Sequence, residues 1–133
     1  MILLDTHVLL WFDRHDPALG RETISHVTRA LAVDALAASA ISFWEVALLL
    51  RKRRLALRLS VEEWRRDFVE QGLIELPITG AIGIAAVQLE CLHRDPADRN
   101  IVATARDLGA TLYTSDQAIL DWPGRLDRRD ARV

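Results

Sequence analysis

The sequence predicts an α/β fold, a parallel sheet with helices on both faces. Two observations carry this. Short apolar runs of strand length alternate with longer segments whose apolar residues recur at helical spacing. Most of the helical segments also open on a residue that favours helix N-termini, so each strand is followed by a fresh helical start. A third feature concerns the junctions themselves. Four carboxylates, Asp5, Glu45, Asp98 and Asp116, stand where a strand gives way to a helix or where a helix begins.

The elements follow in order. Ile2 to Leu4 is a short buried strand ended by Asp5, and Thr6 to about Phe12 a short helix. Asp16-Pro17 breaks the chain. Residues Gly20 to Val33 are helical, with Ile24, Val27 and Leu31 at helical spacing. Leu36 to Ile41 is a second strand of small residues. Ser42 is the expected N-cap of a helix reaching about Arg54. Ser60 opens the next helix, with Glu63 three residues on in a capping-box pattern and Trp64 and Phe68 facing inward. Gly72 stops that helix. Leu73 to Ile78 alternates as a third strand, and Thr79 caps a helix through about Cys91. Asp95-Pro96 starts a helix that ends near Gly109. Thr111 to Tyr113 is a fourth strand, and Ser115 caps a last short helix. The Arg/Asp-rich tail from Pro123 carries only a weak signal for a final edge strand.

Composition narrows the classes. The 133 residues fit a single domain spanning the chain, and half of them are apolar, enough for a real core. A net charge of −2 argues against charge-driven coating of nucleic acid, though not against a local basic patch. One cysteine, Cys91, allows no internal disulfide and fits a reducing cytoplasm. The four histidines show no zinc-site spacing with it. No apolar run is long enough to cross a bilayer, and the start lacks the basic leader of a signal peptide. The expected location is the cytoplasm.

In parallel sheets flanked by helices, ligands bind off the carboxyl ends of the strands. Asp5 and Asp116 directly follow strands, and Glu45 lies near the start of a helix leaving one. Asp98 opens a helix that runs back to a parallel strand, so its end of that helix lies on the same edge. All four acids are expected on one rim. Singly, each has a structural explanation: Asp5 as an N-cap, Asp116 as a first-turn carboxylate, Asp98 as the third residue of a capped helix, Glu45 as a half-exposed helix residue. Two observations point further. Asp98 shares a face with Ile101, Val102 and Ala105, a buried stripe. Glu45 is hemmed by Phe43, Trp44, Val46 and Ala47. Clustered carboxylates raise one another's pKa, and a hard divalent ion such as Mg²⁺ or Mn²⁺ relieves the repulsion.

The runs Leu3-Leu4-Asp5-Thr6-His7, Ser42-Phe43-Trp44-Glu45-Val46, Asp95-Pro96-Ala97-Asp98-Arg99 and Thr114-Ser115-Asp116 resemble the motifs of the PIN-domain ribonucleases, and more closely the VapC toxins of toxin–antitoxin pairs. The resemblance runs from about Met1 to Leu120. It implies a three-layer α/β/α sandwich around a parallel sheet of four or five strands. It implies one or two Mg²⁺ or Mn²⁺ ions, with Asp5 and Asp98 as the most direct ligands and Glu45 and Asp116 completing the acidic cluster. Thr6, and Thr114 or Ser115, would supply hydroxyls near the acids. The implied activity is hydrolysis of RNA phosphodiester bonds, leaving a 3′-hydroxyl and a 5′-phosphate. An antitoxin partner and a homodimer are implied as well.

Other residues have weaker patterns. Arg51, Lys52, Arg53 and Arg54 read first as cations at a helix C-terminus and second as a phosphate track for RNA. Arg99 is expected to orient Asp98 through a salt bridge, the alternative being a phosphate clamp. His7 and His93 are expected near the rim without a catalytic role. Trp11, Trp44 and Trp64 fall at helical core positions. Three other functions compete: a DNA-directed nuclease of the same fold, a phosphoryl-accepting receiver domain, and a non-catalytic binding module. The receiver needs a late lysine, whereas the one lysine, Lys52, lies inside a helix.

Overall fold

The computed structural model describes residues 1–133. Five strands form one sheet: β1 (Ile2–Leu4), β2 (Leu36–Ser39), β3 (Ile74–Leu76), β4 (Thr111–Thr114) and β5 (Arg128–Asp130). Their order is β3-β2-β1-β4-β5, and every neighbouring pair is parallel. The helices are α1 (Thr6–Arg14), α2 (Arg21–Ala32), α3 (Ala40–Arg51), α4 (Val61–Glu70), α5 (Gly80–Gln88), α6 (Pro96–Leu108) and α7 (Gln117–Leu120). No helix is long and apolar enough to cross a membrane.

The period of two along each strand builds the two cores. Leu4, Leu36, Ala38 and Tyr113 face one side and pack with Val8, Val27, Phe43, Val46, Trp64 and Phe68 of α1 to α4. Leu3, Ala37 and Leu112 face the other and pack with Ile82, Ala86, Ile101, Val102 and Ile119 of α5 to α7. Leu3 and Leu4 are fully buried on opposite faces. Each such leucine stabilises the fold by about 1.5–3 kcal/mol through removal from water. The layers are therefore helix, sheet, helix.

The sheet order also locates the site. β1 connects to β2 on one side and lies beside β4 on the other, so the chain direction across the sheet reverses at the β1–β4 pair. The crevice beyond the carboxyl ends of those two strands is the topological switch point of the fold. Asp5 follows β1 there, and Asp116 stands two residues after β4.

Several expected boundaries move. β2 ends at Ser39, and Ser39 rather than Ser42 caps α3, its side chain accepting from Ile41 N. The polar hydroxyl nearest the strand end wins the cap, and Ser42 goes inside the first turn, fully buried. α3 stops at Arg51, because Arg53 turns the chain with φ of 56°. α5 stops at Gln88 rather than Cys91, where Leu89 is extended and Cys91 has φ of 60°. Asp116 rather than Ser115 caps α7, accepting from Ala118 N. The buried stripe of α2 is Thr23, Val27 and Ala30, so Ile24 is exposed. Trp44 is also exposed, while Trp64 is buried. Trp122 is buried as well, its Nε1 donating to Glu90 O at 2.7 Å. The weakly signalled edge strand is real: β5 pairs with Leu112 to Thr114.

Candidate active site

Asp5 is the most buried of the four acids, only 4% exposed. Helix α1 needs its first amides satisfied, and Asp5 Oδ1 does so, accepting from Val8 N at 3.0 Å. Its other oxygen, Oδ2, accepts a short hydrogen bond from the Thr114 hydroxyl. Thr114 Oγ1 in turn accepts from Asp116 N at 3.0 Å. One threonine thus ties the ends of β1 and β4 together. Burial pushes the Asp5 carboxyl above its ordinary pKa, opposed by the bonds from Thr114 and Val8 and by nearby His7, and reinforced by Asp116.

Asp98 occupies the first turn of α6. Asp95 caps that helix, accepting from Asp98 N at 3.2 Å, with Pro96 at the first helical position. The Asp98 carboxyl is pushed up to about 8, first by burial and then by Asp95, Asp116, Asp5 and Glu45. Every other member of the predicted set therefore acts electrostatically on this one group. Asp116 Oδ1 caps α7 through Ala118 N at 2.8 Å. Its Oδ2 faces His93 Nε2 at 3.2 Å, and the same nitrogen lies 3.3 Å from Asp98 Oδ2. Ligand atoms of His93, Asp98 and Asp116 all fall within 4.8 Å of one another. Asp5 and Glu45 lie outside that tight group. Glu45 is half-buried, in the second turn of α3.

The supporting residues do not all act as expected. Of the two candidate hydroxyls, that of Thr114 is the one bound to an acid. Thr6 is buried, but its hydroxyl donates to Ser42 Oγ at 3.0 Å, joining α1 to α3 behind the rim. Arg99 makes no ion pair with Asp98. Its guanidinium donates to the carbonyls of Ala86, Val87, Leu89, Leu92 and His93. A guanidinium has five N–H donors in a fixed fork, and the end of α5 offers unpaired carbonyls. Arg99 is therefore the clasp of the 86–93 segment. Arg51 is the last residue of α3, and Lys52, Arg53 and Arg54 follow it. That helix starts at the acidic rim and has 12 residues, about 18 Å of axis, so the basic run sits toward the opposite edge.

His93 was expected near the rim without a catalytic role, and the structure sets its Nε2 between Asp98 and Asp116. Its position two residues before Asp95 in His93-Arg94-Asp95-Pro96-Ala97-Asp98 was the available signal.

The donor set suits a hard divalent ion. Carboxylate oxygens dominate it, and Asp98 and Asp5 are both held above their ordinary pKa, first by burial and then by neighbouring acids.

This gathering of acids at the switch point agrees with the sequence match. Residues 2–123 match the PIN domain family. The chain belongs to the PIN-domain family. That membership sets aside the receiver-domain alternative. The chain is 34% identical over 119 residues to Ribonuclease VapC22 of Mycobacterium tuberculosis (strain ATCC 25618 / H37Rv), covering 89% of this chain and 88% of that protein. Among solved structures it is similar to VapBC2 from Rickettsia felis bound to a DNA fragment from their promoter. There the TM-score is 0.68 at 18% identity, over 97% of this chain and 98% of that one. It is also similar to a toxin–antitoxin complex from Klebsiella pneumoniae, with a TM-score of 0.62 at 21% identity over 98% of both chains. At those identities the structural likeness shows that this PIN domain shares their fold.

Proposed function

We propose that this PIN domain is a Mg²⁺- or Mn²⁺-dependent endoribonuclease and the toxin of a toxin–antitoxin pair. The observation that carries the reading is the convergence of Asp98 and Asp116, with ligand atoms within 4.8 Å of each other at the rim, where burial and the surrounding acids raise the Asp98 carboxyl. A site built to repel its own charges is a site for a cation. Asp98 and Asp116 would hold the ion most directly, with Asp5 and Glu45 completing the negative surround. When bound, the ion supplies an activated water and offsets charge on the phosphate.

The protein's own residues do the rest. Thr114 fixes the orientation of Asp5 and the start of the turn carrying Asp116. Asp95 and Pro96 set the first turn of α6 and so the position of Asp98. Arg99 fixes the segment leading into that turn. Water as the nucleophile gives a 5′-phosphate and a 3′-hydroxyl. Two partners are proposed: an antitoxin, which the toxin–antitoxin complexes of the same fold support, and a second copy of the chain, for which Ile84 and Val87 of α5 offer exposed apolar side chains. The cytoplasm is the proposed location.

The test is cleavage of structured RNA and of single-stranded DNA in parallel by the purified chain, with Mn²⁺ and with a chelator. RNA cut only with Mn²⁺, with 5′-phosphate ends, supports the reading. Cleavage of DNA alone favours the DNA-directed alternative, and cleavage of neither, despite Mn²⁺ binding, the binding module.

A further inference from the structure

His93 is the one group at the acidic cluster that the reading above leaves without a task. We infer that His93 is a direct ligand of the divalent ion held by Asp98 and Asp116, and that its imidazole biases this chain toward Mn²⁺ over Mg²⁺. This inference rests on the metal-dependent reading of the same site.

The distances favour a ligand over an ion pair. His93 Nε2 lies 3.2 Å from Asp116 Oδ2 and 3.3 Å from Asp98 Oδ2. Charge-assisted N–H···O bonds are shorter, about 2.7–2.9 Å. Only the contact to Asp116 has hydrogen-bond geometry. Two neighbouring ligands on an octahedral ion with bonds of about 2.1 Å lie about 3 Å apart. His93 Nε2 is thus spaced from each of the two carboxylate oxygens like a neighbouring ligand around one shared centre.

The loop is built to keep the ring there. Arg99 Nη1 donates to the carbonyl of His93 at 3.2 Å and to that of Leu92 at 2.9 Å. The backbone under the imidazole is therefore held from within the fold. The side chain is only partly exposed, at 32%. Nδ1 accepts from Asp95 N at 3.3 Å. Ligation through Nε2 places the proton on Nδ1, so this long contact is the one that loosens on binding.

The chemical consequence is selectivity. Mg²⁺ favours carboxylate and water oxygens, whereas imidazole suits the later first-row metals, so a nitrogen in the set raises affinity along the series starting at Mn²⁺.

The full chain loaded with Mn²⁺, read by electron spin-echo modulation, tests this directly. A coupling from directly bound ¹⁴N is expected in the wild-type protein and in His7→Gln, and is expected to vanish in His93→Gln. By calorimetry, His93→Gln should lose at least about tenfold in Mn²⁺ affinity and less than about threefold in Mg²⁺ affinity. Tight Mn²⁺ binding without nitrogen coupling overturns the ligand role and leaves the nuclease reading standing. A coupling lost in His7→Gln instead, or equal losses for both ions in His93→Gln, does the same. Failure of the wild-type chain to bind either ion overturns both readings. The wild-type spectrum needs no variant, so a misfolded His93→Gln does not blunt the test.

Discussion

Thr114 donates its hydroxyl hydrogen to the carboxylate of Asp5, a contact between residues 109 apart in sequence. The same oxygen accepts the amide of Asp116. This hydroxyl joins two acids of the site without being an acid itself. Thr114→Val keeps the shape and removes both bonds. Leaving buried polar groups unpaired costs about 1–3 kcal/mol. The expected result is a lower urea midpoint and weaker RNA cleavage. An unchanged midpoint with full activity would show that the contact orients nothing.

Asp5 caps α1 and is one of the four acids proposed for the site. Asp5→Asn keeps the side-chain oxygen that caps α1, since asparagine caps about as well as aspartate. It removes the charge and turns the oxygen that accepts from the Thr114 hydroxyl into an amide donor. The variant is expected to fold with native circular dichroism and to lose cleavage by at least about a hundredfold, the scale of losing one electrostatic contact to a transition state. Asp98→Asn is expected to behave alike. A purified Asp5→Asn protein that still cuts RNA at the wild-type rate would remove Asp5 from the site.

The raised carboxyls make a pH prediction with a definite sign. Asp98 sits at about 8 in the folded protein against an ordinary value of 3.8. Between those values the folded state binds more protons than the unfolded state, so stability falls as pH rises. Asp5 is raised too and adds to the same trend. Glu75 and Asp130 are lowered by Arg65 and Arg132, and their contributions are already complete above the ordinary carboxylate range. Urea midpoints of chelator-treated protein should therefore fall between about pH 5 and pH 8, in the window set by Asp98. Asp98→Asn should flatten much of that slope, and Mn²⁺ should oppose it. A midpoint that climbs across this window in chelator would contradict the electrostatic account.

The sheet and the acids were legible because both are written in local chemistry. A strand shows as an apolar run, and a candidate site acid shows as a carboxylate in the wrong place, as Asp98 does on the face of Ile101 and Val102. Long-range partners were not legible. Nothing near Thr6 says that its hydroxyl turns to Ser42, 36 residues away. The sequence of Arg99 beside Asp98 suggests an ion pair, yet five carbonyls from the end of α5 and the loop after it outcompete one carboxylate. Ser42 was the expected cap, but β2 ends at Ser39 and that earlier serine takes the position. His93 has an ordinary loop context until Asp98 and Asp116 converge on it. β5 is a charged edge strand whose pairing with β4 supplies what its composition does not.

The basic run after α3 gives a prediction about nucleic acid. Arg53 and Arg54 are exposed and follow a helix that leads away from the acidic rim. A phosphate contact changes the salt dependence of binding by about one unit of slope per residue lost. Substituting Arg53 and Arg54 with alanine is expected to leave the salt slope of RNA binding unchanged within error. A slope flatter by about two for the double variant would make the run part of the RNA path after all.

Arg99 offers a sharper separation of geometry from charge. Its guanidinium reaches five carbonyls between Ala86 and His93, a task that needs a planar fork. Lysine carries the same charge on a single point with three donors. If Arg99 worked only as the counter-charge of Asp98, Arg99→Lys would largely preserve function. If it works as the clasp of the 86–93 segment, Arg99→Lys leaves several carbonyls unpaired and should cost about 1–3 kcal/mol. Amide exchange should then quicken across residues 88–95 before it does in the central strands, because the segment opens locally. Cleavage should fall with it, although Arg99 touches none of the four acids, since His93 and the first turn of α6 lose their anchor. Near-native exchange and activity in Arg99→Lys would return the residue to a simple electrostatic role.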